Sequence, residues 1–103
     1  MTCHQAAFMR ATCRIDIDER GPSDDPLRYT AVMSVVDGAS EVHPIVAENG
    51  RRLEIHATSE SLAFNSAITY LERQFGGFSE SIRRCDVVVP DHTGAPYVAT
   101  LLG

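Results

Sequence analysis

A chain of 103 residues is long enough to bury one hydrophobic core, and its 44% hydrophobic and 22% charged content is ordinary for a globular protein. Nine basic against 14 acidic residues leave a net charge of −5, and every basic residue is arginine. That acidic balance argues against broad, sequence-independent nucleic-acid binding, which depends on cations displacing counterions.

In chain order, residues 1–10 have no basic start before an apolar block, so no secretory signal is expected. Ala6, Ala7, Phe8 and Met9 read either as a short helix or as an extended lead-in. From Thr12 the pattern alternates strictly: Cys13, Ile15 and Ile17 point one way, and Arg14, Asp16 and Asp18 the other. That is the signature of a half-exposed strand. Glu19 to Pro26 is rich in Gly, Pro, Ser and Asp and reads as a loop.

Leu27 to Val36 is a second strand, with Leu27, Tyr29, Ala31, Met33 and Val35 on one face. Asp37-Gly38 and Asn49-Gly50 are strong two-residue hairpin signals, and together they predict a three-stranded meander. The first turn sets Met33 opposite Val42 and Tyr29 opposite Val46. The second sets Val46 opposite Leu53, Pro44 opposite Ile55 and His43 opposite His56. Both turns place Val42, Pro44 and Val46 on the apolar face. Pro44 lacks the amide that a central strand needs, so a bulge or an early splaying is expected there.

Thr58 to Gly77 carries Phe64, Ala67, Ile68, Leu71 and Phe75 at helical spacing. Thr58, Ser59 and Ser61 offer capping hydroxyls, Glu60 suits the first turn, Arg73 the last, and Gly76 the stop. The apolar face of this helix should lie across Tyr29, Met33, Val42, Val46, Leu53 and Ile55. Phe78 to Ser81 reads as a connector, Cys85 to Val89 as a strand ended by Pro90, Asp91 to Pro96 as a turn, and Tyr97 to Leu102 as a last strand. The expectation is a single α+β domain over 1–103: an antiparallel β-sheet of four or more strands, a β-meander, with one main α-helix packed on one face.

Four constellations bear on chemistry. His43 and His56, opposed across the second hairpin with Arg52 and Glu54 beside them, form a candidate pH- or metal-responsive pair; two imidazoles fall short of the usual three or four ligands. Cys3, His4, Cys13, Cys85 and His92 are the inventory of a zinc site without its paired spacing, and they read better as core thiols and scattered histidines. An odd number of widely spaced cysteines fits a reducing cytoplasm better than a disulfide framework. Asp16, Asp18, Glu19, Asp24 and Asp25 read as a polar strand face followed by a solvated loop. The fourth is a surface: the sheet face turned away from the helix should carry Thr30, Val32, Ser34, Val36, Ile45 and Ala47, too apolar for open water. Val32, Val36 and Ile45 are its candidate association residues.

Three antiparallel strands followed by a helix containing Ala63 and Ala67 resemble, over about residues 27–75, the core of a double-stranded-RNA-binding domain. The same order is similar in outline to small HicB-type antitoxins. The resemblance implies a nucleic-acid-binding regulatory module, for which Arg28, Arg51, Arg52, Arg83 and Arg84 are the candidate contacts. At the start of the helix, where the RNA-binding family carries phosphate-gripping lysines, this chain has Ser59, Glu60 and Ser61.

No Walker loop, dinucleotide-binding glycine pattern or nucleophile elbow is present, and no catalytic set, metal site or cofactor is expected. The sequence therefore favours a small cytoplasmic non-enzymatic domain that acts through protein association as a homodimer. The nucleic-acid module is the alternative, and no membrane partner is expected because no apolar run approaches ~20 residues.

Overall fold

The computed structural model describes residues 2–19, 26–37, 41–77, 82–85 and 95–98; for Ile82–Cys85 it gives strand path and register. The alternation from Thr12 builds β2 (Thr12–Glu19), and the same period builds β3 (Tyr29–Val36). They pair antiparallel over their full length, so that Cys13 meets Val35, Ile15 meets Met33 and Ile17 meets Ala31 on one face. The lead-in is extended: β1 (Thr2–Ala7) pairs with the free side of β2, Ala6 opposite Cys13 and His4 opposite Ile15. β6 (Ile82–Cys85) closes that side, pairing antiparallel with β1.

On the other side of β3, two short strands lie end to end. β4 (Val42–Val46) pairs with Ser34–Val36, and β5 (Glu54–Ala57) pairs with Tyr29–Val32. β7 (Tyr97–Val98) runs parallel to β4. The order across the sheet is β6-β1-β2-β3-β4-β7, with β5 beside β3. The fold is α+β: a seven-stranded, mainly antiparallel sheet among the described residues, with one helix packed on one face.

That helix is α1 (Glu60–Phe75). It begins where the Ser59 side chain accepts the Leu62 amide and ends at Gly76, whose φ of 75° suits a residue without Cβ and whose amide bonds the Glu72 carbonyl. The last carbonyls find a partner far away in sequence. The Arg10 amide donates to Phe75 O at 2.9 Å and its guanidinium to Gln74 O at 2.8 Å, so the β1–β2 turn caps the helix. Ala63, Ala67, Ile68, Leu71 and Phe75 are buried against β2, β3 and β5, with Phe64 half-buried beside them. The small residues Ala63 and Ala67 let the helix approach the sheet closely. Ile15, Met33, Ile45 and Leu71 are the largest wholly buried apolar side chains.

The two hairpins around β4 differ from the sequence expectation. The first is wider than a two-residue turn: Val36 faces Val42, and the loop closes through the Asp37 amide to Glu41 O at 3.0 Å and the Glu41 amide to Asp37 Oδ1 at 2.9 Å. The asparagine-glycine turn contains three residues. The Gly50 amide bonds Ala47 O, Gly50 has φ 81°, and the Ala47 amide bonds Arg51 O, which sets Val46 against Arg52 rather than Leu53. That is a turn followed by a left-handed glycine bulge.

Both slips are odd, so both turn the middle strand over. His43 and Ile45 therefore share the helix side with Val35, while Val42, Pro44 and Val46 take the outer side. The expected splaying near Pro44 is present: the Leu53 amide bonds Ile45 O, and from Glu54 onward the chain leaves β4 for β3. The three strands before the helix thus make no meander of their own; the meander runs through β1, β2, β3 and β4, consecutive antiparallel neighbours, and the likeness to double-stranded-RNA-binding and HicB-type cores stops at the order of elements. The loop residues 20–25, the connector 78–81 and the expected strand and turn residues 86–94 and 99–102 lie outside the described residues.

Candidate functional site

Two polar constellations stand out. The outer sheet face, opposite α1, is knitted by hydrogen bonds and ion pairs within and between strands. Arg14 and Asp16, two residues apart on β2, form a forked ion pair with Nε 3.1 Å from both carboxylate oxygens, and both side chains are mostly buried. The Arg52 guanidinium donates to the Ser34 hydroxyl at 3.0 Å, and Ser34 is wholly buried. Thr30 Oγ1 lies 3.1 Å from His56 Nδ1, and His56 Nε2 lies 3.4 Å from Glu54 Oε2. Between these groups Val32, Val36 and Pro44 are half-buried, and Val42 and Val46 are buried.

Threonine, histidine and glutamate in line have the order of a nucleophile, a base and its orienting acid. The geometry does not serve that chemistry. Thr30 is only 3% exposed, so its hydroxyl has no approach for a substrate, and the ring presents Nδ1 rather than Nε2 to it.

The second constellation is at the corner of the sheet where β3 turns into β4. His43 Nε2 is 2.9 Å from Asp37 Oδ2 and 3.9 Å from Glu41 Oε2, while His43 Nδ1 is 2.9 Å from the Ala95 carbonyl. Both close neighbours of the ring are acceptors, so filling both bonds requires a proton on each nitrogen. The Asp37 carboxylate, then the Ala95 carbonyl, hold the His43 pKa above its ordinary value.

Most of the residues singled out from sequence are separated by the fold. His43 faces Val35 and His56 faces Thr30, five positions apart along β3, about 17 Å, and on opposite sides of the sheet. They form no pair. Ile45 is wholly buried in the helix-side core, so of the expected association residues only Val32 and Val36 lie on the outer face. Odd slips of register account for both corrections.

The zinc inventory is divided as well. Cys13 is a buried thiol in the core, pushed up to about 12 by desolvation. The His4 ring meets Phe64 at a tilt, with ring centroids 4.6 Å apart. Cys3, opposite Asp16, is on the other face and is disulfide-bonded rather than a thiol. The β1–β6 register brings Cys3 opposite Cys85, a pairing 82 residues apart in sequence that no local pattern announces. His92, Asp24 and Asp25 lie outside the described residues.

The arginines do not form one basic patch. Arg28 pairs with Glu19 at 3.1 Å and lies over the Tyr29 ring, and Arg52 is committed to Ser34. Arg51 is exposed in the β4–β5 turn, and Arg83 and Arg84 stand opposite Gln5 and His4 at the far side of the sheet. Sequence reasoning missed the Asp37, Glu41 and His43 cluster. Its signal was an Asp and a Glu bracketing a loop with a His two positions later, visible only once Asp37-Gly38 is not read as a two-residue turn.

No helix of the described residues is long and apolar enough to cross a membrane. The chain matches no protein-family model, no curated protein and no solved structure.

Proposed function

We propose that this chain is a non-enzymatic protein-association module that pairs with a second copy of itself through the outer sheet face. The observation that carries the reading is the patch of Val32, Val36 and Pro44, half-buried in the chain alone, on a face where α1 does not lie. The charged groups around it, Arg14 with Asp16, Arg52 with Ser34 and Glu54 with His56, are satisfied within the chain and leave the valines as the apolar centre of the face. An isologous contact through the apolar patch repeats the same residues on both copies, so one patch serves both sides of a twofold interface.

The nucleic-acid reading gains nothing from the arrangement of the arginines, which are dispersed or already paired. The bonded Cys3 favours an oxidising compartment over the reducing cytoplasm that the odd cysteine count led us to expect.

The contact can be read atom by atom. In a sample mixing isotope-labelled and unlabelled chains, the methyl groups of Val32 and Val36 should show nuclear Overhauser effects to the other copy. Intermolecular effects confined to another surface, or none at all, would sink the proposal.

A further inference from the structure

We propose that Asp37, Glu41 and His43 form a binding site for one divalent transition-metal ion of the zinc type. The donor set is one imidazole nitrogen and two carboxylates, and one donor atom from each lies within 4.8 Å of the other two. Zinc bonds to nitrogen and oxygen run ~2.0–2.2 Å, so the edge of a tetrahedral site is roughly 3.4 Å. The separations of 2.9 Å and 3.9 Å from His43 Nε2 to the two carboxylates straddle that edge. Small side-chain rotations bring all three donors onto one ion.

The surroundings support each ligand in the way metal sites require. The Ala95 carbonyl accepts from His43 Nδ1 at 2.9 Å, and a proton held there leaves the Nε2 lone pair facing the carboxylates. Asp37 Oδ1 accepts the Glu41 amide at 2.9 Å and Oδ2 lies 2.9 Å from His43 Nε2. His43 belongs to β4, Asp37 directly follows β3 and Glu41 directly precedes β4, so paired backbone positions all three. A divalent cation held by the three donor atoms balances the charge of both carboxylates.

Imidazole selects ions such as Zn²⁺, Co²⁺ and Ni²⁺ over Mg²⁺ and Ca²⁺, which take oxygen ligands. Three protein donors leave one tetrahedral position for water or for a group from outside the chain. The site lies on the helix side of the sheet corner, so it does not depend on association through the outer face.

The test is a titration of the intact protein with zinc chloride, following the ring nitrogens of its histidines by ¹⁵N NMR in the wild type and in Glu41→Gln. Glutamine keeps the length of the side chain, and unchanged amide shifts in β2 and α1 report that the variant is folded. The site predicts that one equivalent of zinc moves His43 Nε2 while Nδ1 stays protonated. It also predicts that Glu41→Gln weakens binding by about 10–100-fold or more, the loss typical even of an outer partner of a metal ligand, and that magnesium leaves His43 unmoved. An unshifted His43 at one equivalent, a zinc shift confined to His4 or His56, or equal affinity in Glu41→Gln would each overturn it.

Discussion

On the face covered by α1, Ile15, Met33 and Leu71 meet in one apolar cluster; on the other, Arg14 grips Asp16, Arg52 donates to Ser34 and Thr30 bonds His56 around a few valines. The same strands build both faces, because successive residues of β2 and β3 point to opposite sides. The helix side derives its stability from non-directional burial, which tolerates no missing volume. The outer side is held by directional bonds among polar side chains, several of them buried, each of modest net worth. A substitution should therefore cost very different amounts on the two sides of the sheet.

Leu71→Ala should show the largest effect. Leu71 is wholly buried between helix and sheet, and its truncation should lower unfolding free energy by ~2–5 kcal/mol in a denaturant titration. A loss below about 1 kcal/mol would mean that this face is not the stabilising one. On the outer side, Arg14→Ala removes a charged, mostly buried partner from Asp16 and should cost about 1–2 kcal/mol by the same titration. A cost equal to that of Leu71→Ala would erase the distinction between the faces.

The smallest effect is a chemical one, at Cys13. With its thiol pushed up to about 12 by burial, Cys13 should resist alkylation in the native protein and react only after unfolding, as read by mass spectrometry. Because the folded value lies above the ordinary value of 9.0, the linked stability is fully present below about 9 and is lost as pH rises toward about 12. Rapid labelling of Cys13 in the folded state would show that the inner face opens far more readily than its packing implies.

The inner face was largely legible in the sequence, since its signals are local. The alternation of Cys13, Ile15 and Ile17, the helical spacing of Ala67, Ile68, Leu71 and Phe75, the Ser59 cap and the Gly76 stop all describe neighbours along the chain. The outer face depends on register, which the turn dipeptides alone do not determine. Two turns taken as two-residue loops agreed with each other about β4, yet both assumed the same loop length. Asp37 and Glu41 close a wider loop, Gly50 forms a bulge, and two odd slips preserve the agreement while inverting the strand. That inversion moved Ile45 into the core, set Val42, Pro44 and Val46 outside, separated His43 from His56, and brought His43 to Asp37 and Glu41. The Arg10 cap of α1 and the bonding of Cys3 had no local signal, because each joins residues far apart in the chain.

If the outer face is an interface between two copies, the mass in solution reports it. Light scattering coupled to size-exclusion chromatography should give twice the 11.3 kDa chain mass for the wild type. For Val36→Arg, which drives a charge into the middle of the patch, it should give a single chain mass with an unchanged circular dichroism spectrum. A wild-type protein that stays monomeric over a wide concentration range, or a Val36→Arg variant that remains a dimer, would contradict the account.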